Sequence, residues 1–399
     1  MDLCKQFYGE EHGYFESKGC GYTAYEIAHQ PQMWLNFCDV LKENEQAIRS
    51  FMSSIDPLKE MRIILTGAGS SGFVGRAVAG FVAQSSNIHC EAIHTTDIVS
   101  APETYLFADV PTLLVSFARS GNSPESVGAV EYARKIVKNL YEVAITCDGE
   151  SKLAKTTRES EKSLVFVMPE GTNDKGFAMT SSVSTMTLAG FALFNANRVE
   201  DITKDIKTLA SWVEENGSAL SKAAASCAEW GYERAWYLGS GAFTALMHEG
   251  ALKMLELTYG AVAAGHNNSA EFRHGPKTII NPKIVTVHFI SNNAFTARYD
   301  MDLLNELFGQ RDGNKLVALY DQAAGDVQAD LAVPYSAQGY TFAEDVAVGI
   351  QGLVFMQLLS MYTSLKLGVT TDNPSPSGLV NRVVQGVTVY PYLSEEGAK

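Results

Sequence analysis

Two copies of one pattern span most of the sequence, and this repetition restricts the chain to folds built from two similar halves. An apolar run followed by a glycine turn begins at residue 62 (RIILTGAGSS) and again at residue 234 (RAWYLGSGAF), an offset of 172. A second pair of apolar runs begins at residues 111 and 282 and a third at residues 143 and 317, so these offsets are 171 and 174. Three matches in the same order predict a duplicated domain.

Each copy alternates short β-branched, apolar runs with longer helical patterns. This alternation predicts βαβ units around a parallel sheet that helices cover on both faces. We therefore expect two tandem α/β domains of the flavodoxin-like, three-layer αβα type, at residues 46–200 and 201–399, after a helical segment at residues 1–45. Helical spacing is also evident in residues 22–55 and 199–231. Ligands of such sheets bind beyond the carboxyl ends of the strands, where the glycine turns lie.

Composition and charge exclude several classes of partner. The 399 residues include 31 basic and 45 acidic side chains, a formal charge of -14, which argues against a nucleic-acid or membrane surface. We expect no apolar run near the roughly 20 residues that cross a bilayer. The N-terminus MDLCKQFYGEEHGYF resembles no signal peptide, which predicts a cytoplasmic protein. Six scattered cysteines without a C-x-x-C pair predict reduced thiols.

The first glycine turn, LTGAGSSGFVGR, contains a G-x-G-x-x-G pattern at Gly67, Gly69 and Gly72. A dinucleotide-binding turn needs an acidic residue about 20 positions further on, and Glu91 and Asp97 leave that test open. The second copy lacks the third glycine, and the neighbouring loops carry hydroxyl groups. These features favour a phosphate monoester over a dinucleotide, and we expect no cofactor.

The loop ARSGNSPES, which follows the second strand-like run, offers a phosphate cradle. Ser120 and Ser123 supply hydroxyl groups, and Gly121 allows a ligand to approach the backbone. A phosphate at the start of the following helix would meet free N–H groups and the positive end of the helix dipole. Ser70 and Ser71 of the glycine turn could complete the pocket. An ordinary strand-to-helix turn with a serine cap explains the same residues, so both interpretations stay open.

The second copy carries ionisable groups instead of hydroxyls. Glu249, Lys253 and Glu256 recur at spacings of four and three, along one face of a predicted helix. The segment SAEFRHGPK then brings His274 among other charged residues, so that a carboxylate base and an imidazole acid could meet. A solvated, salt-bridged helix face is the alternative. The chain has no H-E-x-x-H or G-x-S-x-G pattern, so we expect neither a metal site nor a serine hydrolase.

Together, the tandem glycine turns, the SGNSPES loop and the pair ALKMLEL and AEFRHGP resemble the sugar isomerase (SIS) family. The chain is similar to the isomerase half of glucosamine-6-phosphate synthase, and more closely to AgaS-type deaminase/isomerases of amino-sugar catabolism. The resemblance covers nearly the whole chain, and it implies two tandem SIS domains.

The resemblance also implies roles for individual residues. The sugar phosphate would lie among Ser71, Arg119, Ser120 and Ser123. Glu256 would move a proton between C1 and C2 beside Lys253. His274 of a neighbouring subunit would assist ring opening, which implies a homodimer or a higher homo-oligomer with shared active sites. Gln385 stands where the synthase has a lysine in its tail, so a Schiff base from the tail is in doubt.

The activity that the resemblance implies is the conversion of D-galactosamine 6-phosphate and water into D-tagatose 6-phosphate and ammonia. The N-terminus lacks a glutaminase-like segment, which favours ammonia release over ammonia use. A simple aldose–ketose isomerase, a deglycase and a non-catalytic sugar-phosphate sensor remain alternatives. The sequence leaves open the galacto or gluco configuration of the substrate and the choice between dimer and tetramer.

Overall fold

Two five-stranded parallel sheets form the centres of the two halves. The computed structural model describes residues 2–55, 57–384 and 386–392. The first sheet has the order β2-β1-β3-β4-β5, with strands Arg62–Thr66 (β1), Glu91–Ala92 (β2), Thr112–Ala118 (β3), Leu140–Thr146 (β4) and Ser163–Val167 (β5). The second has the order β7-β6-β8-β9-β10, with strands Arg234–Gly239 (β6), Ala263–Asn267 (β7), Ile284–Phe289 (β8), Lys315–Asp321 (β9) and Leu331–Tyr335 (β10). The equivalent orders confirm the duplicated, flavodoxin-like α/β fold.

Helices cover both faces of each sheet. They are Leu3–Tyr8 (α1), His12–Ser17 (α2), Gly21–Ala28 (α3), Gln30–Ser53 (α4), Ser70–Ser86 (α5), Thr95–Ser100 (α6), Pro102–Tyr105 (α7), Pro124–Ile136 (α8), Lys152–Arg158 (α9), Ser181–Phe194 (α10), Val199–Ala228 (α11), Phe243–Leu257 (α12), Ala294–Gly309 (α13) and Glu344–Leu367 (α14). The helices predicted at residues 22–55 and 199–231 are thus confirmed. The domain boundaries at residues 45 and 200 stay predictions, and α4 runs through the first of them.

The central strands are buried along their whole length, because helices lie on both sides of them. Every residue of β3 (TLLVSFA) and of β8 (IVTVHF) is buried. Continuous apolar runs of this kind are typical of parallel sheets. The main apolar core extends through both halves, and all six cysteines are unpaired, as predicted.

The last helix contradicts one expectation from the sequence. Residues 346–365 of α14 contain no charged side chain, and this helix is long and apolar enough to cross a membrane. The expectation that no apolar run approaches that length was therefore wrong. In the structure, 94% of the 18-residue apolar stretch of this helix is buried. Burial of this extent is what a core helix of a soluble protein shows.

The two glycine turns bring the starts of two helices to the interface between the halves. At Gly67 a Cβ atom would overlap the backbone of Ser71, and Gly69 has a φ of 55°, so both positions favour glycine. The turn places Ser70 at the first position of α5, directly beyond β1. Since α5 packs against α12 of the second half, the hydroxyl-bearing turn meets the charged helix.

Candidate functional site

A buried lysine lies at the centre of the interface between α5 and α12. Lys253 is fully buried, and its Nζ lies 3.2 Å from Oε1 of Glu249 and also contacts Oε2 of Glu256. The same ammonium group donates a hydrogen bond to Oγ of Ser70 at 2.9 Å, and that hydroxyl donates to Oε1 of Glu249 at 3.0 Å. The three N–H groups of the lysine thus have three partners, one from the first half and two from the second.

Burial decides the charges within this cluster. It raises the pKa of Glu249 to about 7, with Lys253 opposing the rise and Glu256 adding to it. Burial lowers the pKa of Lys253, but the two carboxylates outweigh it and raise that pKa overall. The ammonium group therefore stays charged, and burial makes Glu249 easier to protonate than a carboxyl group in water. Glu256 is 26% exposed, so it is the carboxylate that a bound substrate can reach.

The serine loop of the first half forms a capped turn. Ser123 caps α8, because its Oγ accepts a hydrogen bond from the Ser126 backbone N at 3.3 Å. Oγ of Ser120 accepts one from the Asn122 backbone N at 3.3 Å. Gly121 has a φ of 60°, and a Cβ there would overlap the side chain of Ser151. The serine-capped turn is therefore present, and it leaves the loop's hydroxyls at the first turn of a helix.

Ser71 and Arg119, the other two predicted phosphate ligands, have different surroundings. The Ser71 hydroxyl is buried and lies 3.8 Å from Sδ of Met179. The Arg119 guanidinium donates to two backbone carbonyls, to Phe177 O at 3.2 Å and to Arg382 O at 2.7 Å. Arg119 therefore fastens the C-terminal segment to the first half. Gln385, the predicted tail residue, lies outside the described residues.

His274 lies apart from the buried cluster. It is exposed, and its backbone N donates to Glu271 O at 2.8 Å. Within residues 2–55, 57–384 and 386–392, its imidazole makes no hydrogen bond or ion pair with Glu256 or Lys253. One chain therefore assembles Ser70, Lys253 and Glu256 and leaves His274 at its surface.

In the second half, a buried carboxylate binds the loops that follow the strands. The duplication relates Ser291 to Ser120, an offset of 171. The buried Asp300 accepts hydrogen bonds there from Ser240 Oγ at 2.6 Å, from Ser269 Oγ and from the Ser291 backbone N at 3.1 Å. In the first half, no carboxylate among the described residues binds the hydroxyls of the serine loop. The two halves thus differ in their capacity to accept an anion.

Comparison with known proteins identifies the family of this chain. Residues 58–196 match the SIS domain model. The D-galactosamine-6-phosphate deaminase AgaS of Shewanella sp. (strain ANA-3) is 37% identical over 94% of this chain and 93% of its own length. Its counterpart of the same name in Escherichia coli O157:H7 is 36% identical over 93% of this chain and 96% of its own. The chain belongs to the SIS family, in its AgaS group.

Solved structures of SIS proteins share the whole architecture. The tagatose-6-phosphate ketose/aldose isomerase from Escherichia coli superposes with a TM-score of 0.83 at 33% identity, over 94% of this chain and 97% of that chain. The C-terminal domain of glucosamine-fructose-6-phosphate aminotransferase from Francisella tularensis gives a TM-score of 0.73 at 21% identity, over 88% and 97%. At that identity the second likeness shows the fold alone.

The sequence alone indicated no functional role for Glu249 and Asp174, two carboxylates that are buried in this SIS protein. Glu249 lay on the predicted charged face, and its four-residue spacing to Lys253 was the signal for their contact. Asp174 accepts hydrogen bonds from backbone and hydroxyl groups at the start of α10, at Thr180, Ser181 and Ser182. The run of three hydroxyl residues at the start of an apolar helix was the local signal for the surroundings of Asp174.

Proposed function

We propose that this chain converts D-galactosamine 6-phosphate and water into D-tagatose 6-phosphate and ammonia. The observation that carries the proposal is the buried Lys253 between Glu249 and Glu256, in contact with the glycine turn through Ser70. The deaminase names of relatives that match nearly the whole chain support it. The enzyme acts in the cytoplasm as a homodimer or a higher homo-oligomer.

The phosphate of the substrate is held by the first half. Ser120 and Ser123 offer hydroxyl groups around the start of α8, whose first turn has free N–H groups, and Ser71 offers one at the start of α5. Among the described residues these hydroxyls have no carboxylate partner, whereas Asp300 binds the equivalent loops of the second half, and this difference supports the placement. Arg119 contributes by holding the C-terminal segment beside the loop and adds positive charge there.

Glu256 is the base that transfers the proton. With the sugar ring open, it removes the proton from C2, and an enolamine forms between C1 and C2. It returns the proton to C1, and one N–H proton of the amino group passes to the oxygen at C1, so that C1 becomes a CH₂OH group and C2 carries an imine. Water adds to C2 of the imine, and the carbon–nitrogen bond breaks to give the ketone and ammonia. The hydrogen moves as a proton, so this sequence consumes no redox equivalents.

The charge of Lys253 matches the charge that develops in this step. Removal of the C2 proton places negative charge on the oxygen at C1, and a preorganised ammonium group stabilises such charge most strongly in a water-poor site. Glu249 and Ser70 hold that ammonium group in position. His274 of the partner subunit assists ring opening, which is consistent with its exposure in the single chain. Gln385 stands in the tail without a covalent role.

The decisive experiment compares three substrates. Purified protein is given galactosamine 6-phosphate, glucosamine 6-phosphate or galactose 6-phosphate, and ammonia and ketose 6-phosphate are measured. We expect both products from galactosamine 6-phosphate, faster than from its gluco epimer. Ketose phosphate from galactose 6-phosphate alone would instead establish an aldose–ketose isomerase, the activity for which the similar Escherichia coli protein is named. Binding without turnover of any of the three would establish a sensor.

A further inference from the structure

A large cavity lies beside the N-terminal helices, outside the cluster around Lys253. Its volume is about 780 Å³, within the range of small-molecule sites. Its wall is formed by α2, α3 and α4, by the loop that follows β5, and by Arg382 of the C-terminal segment. Ser70, Ser71, Lys253 and Glu256 are not among the lining residues.

The loop that follows β5 separates this cavity from the serine loop. On the cavity side, the backbone N–H groups of Lys175 and Gly176 donate to the buried carboxyl group of Glu26. On the other side, Phe177 O accepts a hydrogen bond from Arg119, which flanks the serine loop. The cavity is therefore a neighbour of the proposed phosphate site and not a part of it.

Two cationic groups of the cavity have capacity for an anion. Lys175 is exposed, and its ammonium group has no hydrogen-bond or ion-pair partner in the described part of the chain. Arg382 uses Nε and Nη2 for Asp174 O and Asn173 Oδ1, whereas its Nη1 makes no hydrogen bond to a described residue. A guanidinium and an ammonium group facing one space are typical partners of a phosphate group.

The remaining wall suits a sugar. The rings of His12, Tyr25 and His29 follow one another with centroids 5.9 and 5.1 Å apart. His29 is 5% exposed, and its buried Nε2 has no hydrogen-bond partner among the described residues. Burial and the nearby Asp174 raise the pKa of Glu26 to about 8, which weakens its repulsion of a phosphate, and the other carboxyl group of the wall, Glu170, is exposed to solvent. Aromatic faces with a few polar groups form a common small-molecule wall.

We propose that this cavity binds a hexose monophosphate as a second ligand, separate from the substrate at the serine loop. Lys175 and Arg382 bind the phosphate group, and the row of rings packs against the sugar. Asn173 and His29 provide hydrogen-bonding groups for its hydroxyls.

The site is linked to the substrate loop through the C-terminal segment. Arg382 reaches the cavity with its side chain, while its carbonyl oxygen accepts a hydrogen bond from Arg119. A phosphate group on Arg382 therefore stabilises the segment where Arg119 holds it, beside the serine loop. If the proposed function holds, occupation of the cavity lowers KM for the hexosamine phosphate and leaves kcat unchanged, since Lys253 and Glu256 are not involved.

The test counts binding sites without needing turnover. Glucitol 6-phosphate has no carbonyl group to isomerise, so titration calorimetry can follow its binding to the full chain. We expect two molecules per chain in the wild type and one in Lys175→Met, with affinity for the second weakened at least tenfold. Tyr25→Ala, which removes a ring from the wall, gives the same loss. Lys222→Met replaces an exposed lysine of α11 outside the cavity and keeps both sites.

One bound molecule or none per wild-type chain would overturn the proposal, and so would two in both cavity variants. The outcome is separable from that of the proposed function. Two binding sites without any product would refute the deaminase and leave the cavity site standing. Ammonia release with a single binding site would support the deaminase and refute the cavity site.

Discussion

Ser70→Ala tests whether the contact between the two halves holds the buried lysine. Ser70 is 4% exposed, and its hydroxyl accepts from Lys253 at 2.9 Å and donates to Glu249 at 3.0 Å. A hydrogen bond to a charged group contributes roughly 1.5–3 kcal/mol, so losing two costs about 3 kcal/mol at the lower end of that range. A loss of this size is a large part of the 5–15 kcal/mol typical of a folded domain, as a rough guide.

Ser71→Ala is the matched control, one position further along the same helical turn. Ser71 is 5% exposed, but its hydroxyl has only a weak contact with Met179 Sδ at 3.8 Å. We expect a loss of about 0.5 kcal/mol or less for this variant, together with a raised KM. Urea unfolding followed by fluorescence gives the midpoint and slope for both variants. Equal losses in the two variants, or a loss under about 0.5 kcal/mol in Ser70→Ala, would refute the role of the Ser70 contact.

Three further predictions concern ionisable residues. Glu256→Gln lowers turnover by about 10²–10⁴-fold and retains glucitol 6-phosphate binding; wild-type turnover would exclude Glu256 as the base. The pKa of Glu249 is raised to about 7 from 4.5, so its stabilising contribution is full below pH 4.5 and is lost as pH rises through 7. Glu249→Gln removes this slope between pH 4.5 and 7 in urea unfolding, and an unchanged slope would contradict the assignment. Burial lowers the pKa of His248, which stacks between Phe73 and His266, to about 3. The wild type therefore loses stability as pH falls from 6.5 towards 3, and His248→Phe has a shallower loss in acid unfolding scans.

The fold was predictable because the duplication and the apolar runs are local features. Runs such as TLLVSFA are typical of parallel sheets covered on both faces, and their repetition with nearly equal offsets predicted two such sheets. The length of α14 was missed because a few polar residues interrupt an otherwise apolar helix. Its glutamines illustrate the reason: Gln357 is buried and hydrogen-bonded to Gln30, 327 residues away.

The site was predictable only in part, because its burial depends on distant residues. Helical spacing placed Glu249, Lys253 and Glu256 on one face, but a salt-bridged surface face has the same spacing. The contact with Ser70, 183 residues away, makes the lysine a buried group. Arg119 shows the same limit, since its partner Arg382 O is 263 residues further along the chain. The length and charge of a side chain predict that it makes a polar contact. Its partner depends on tertiary packing, which local sequence does not show.

The position of α14 has a consequence for the synthesis of the protein. This helix follows every other helix and strand that the structure describes, and it packs on α3, α10, α11 and α12. Until residue 367 has left the ribosome, these four helices lack the apolar surface that covers them. Domains in general fold in order during translation, the N-terminal one first. In this protein both halves of the growing chain have an incomplete core until α14 has emerged. Ribosome-bound chains that stop before residue 344 should be cleaved readily by protease, and chains extended past residue 367 should resist it.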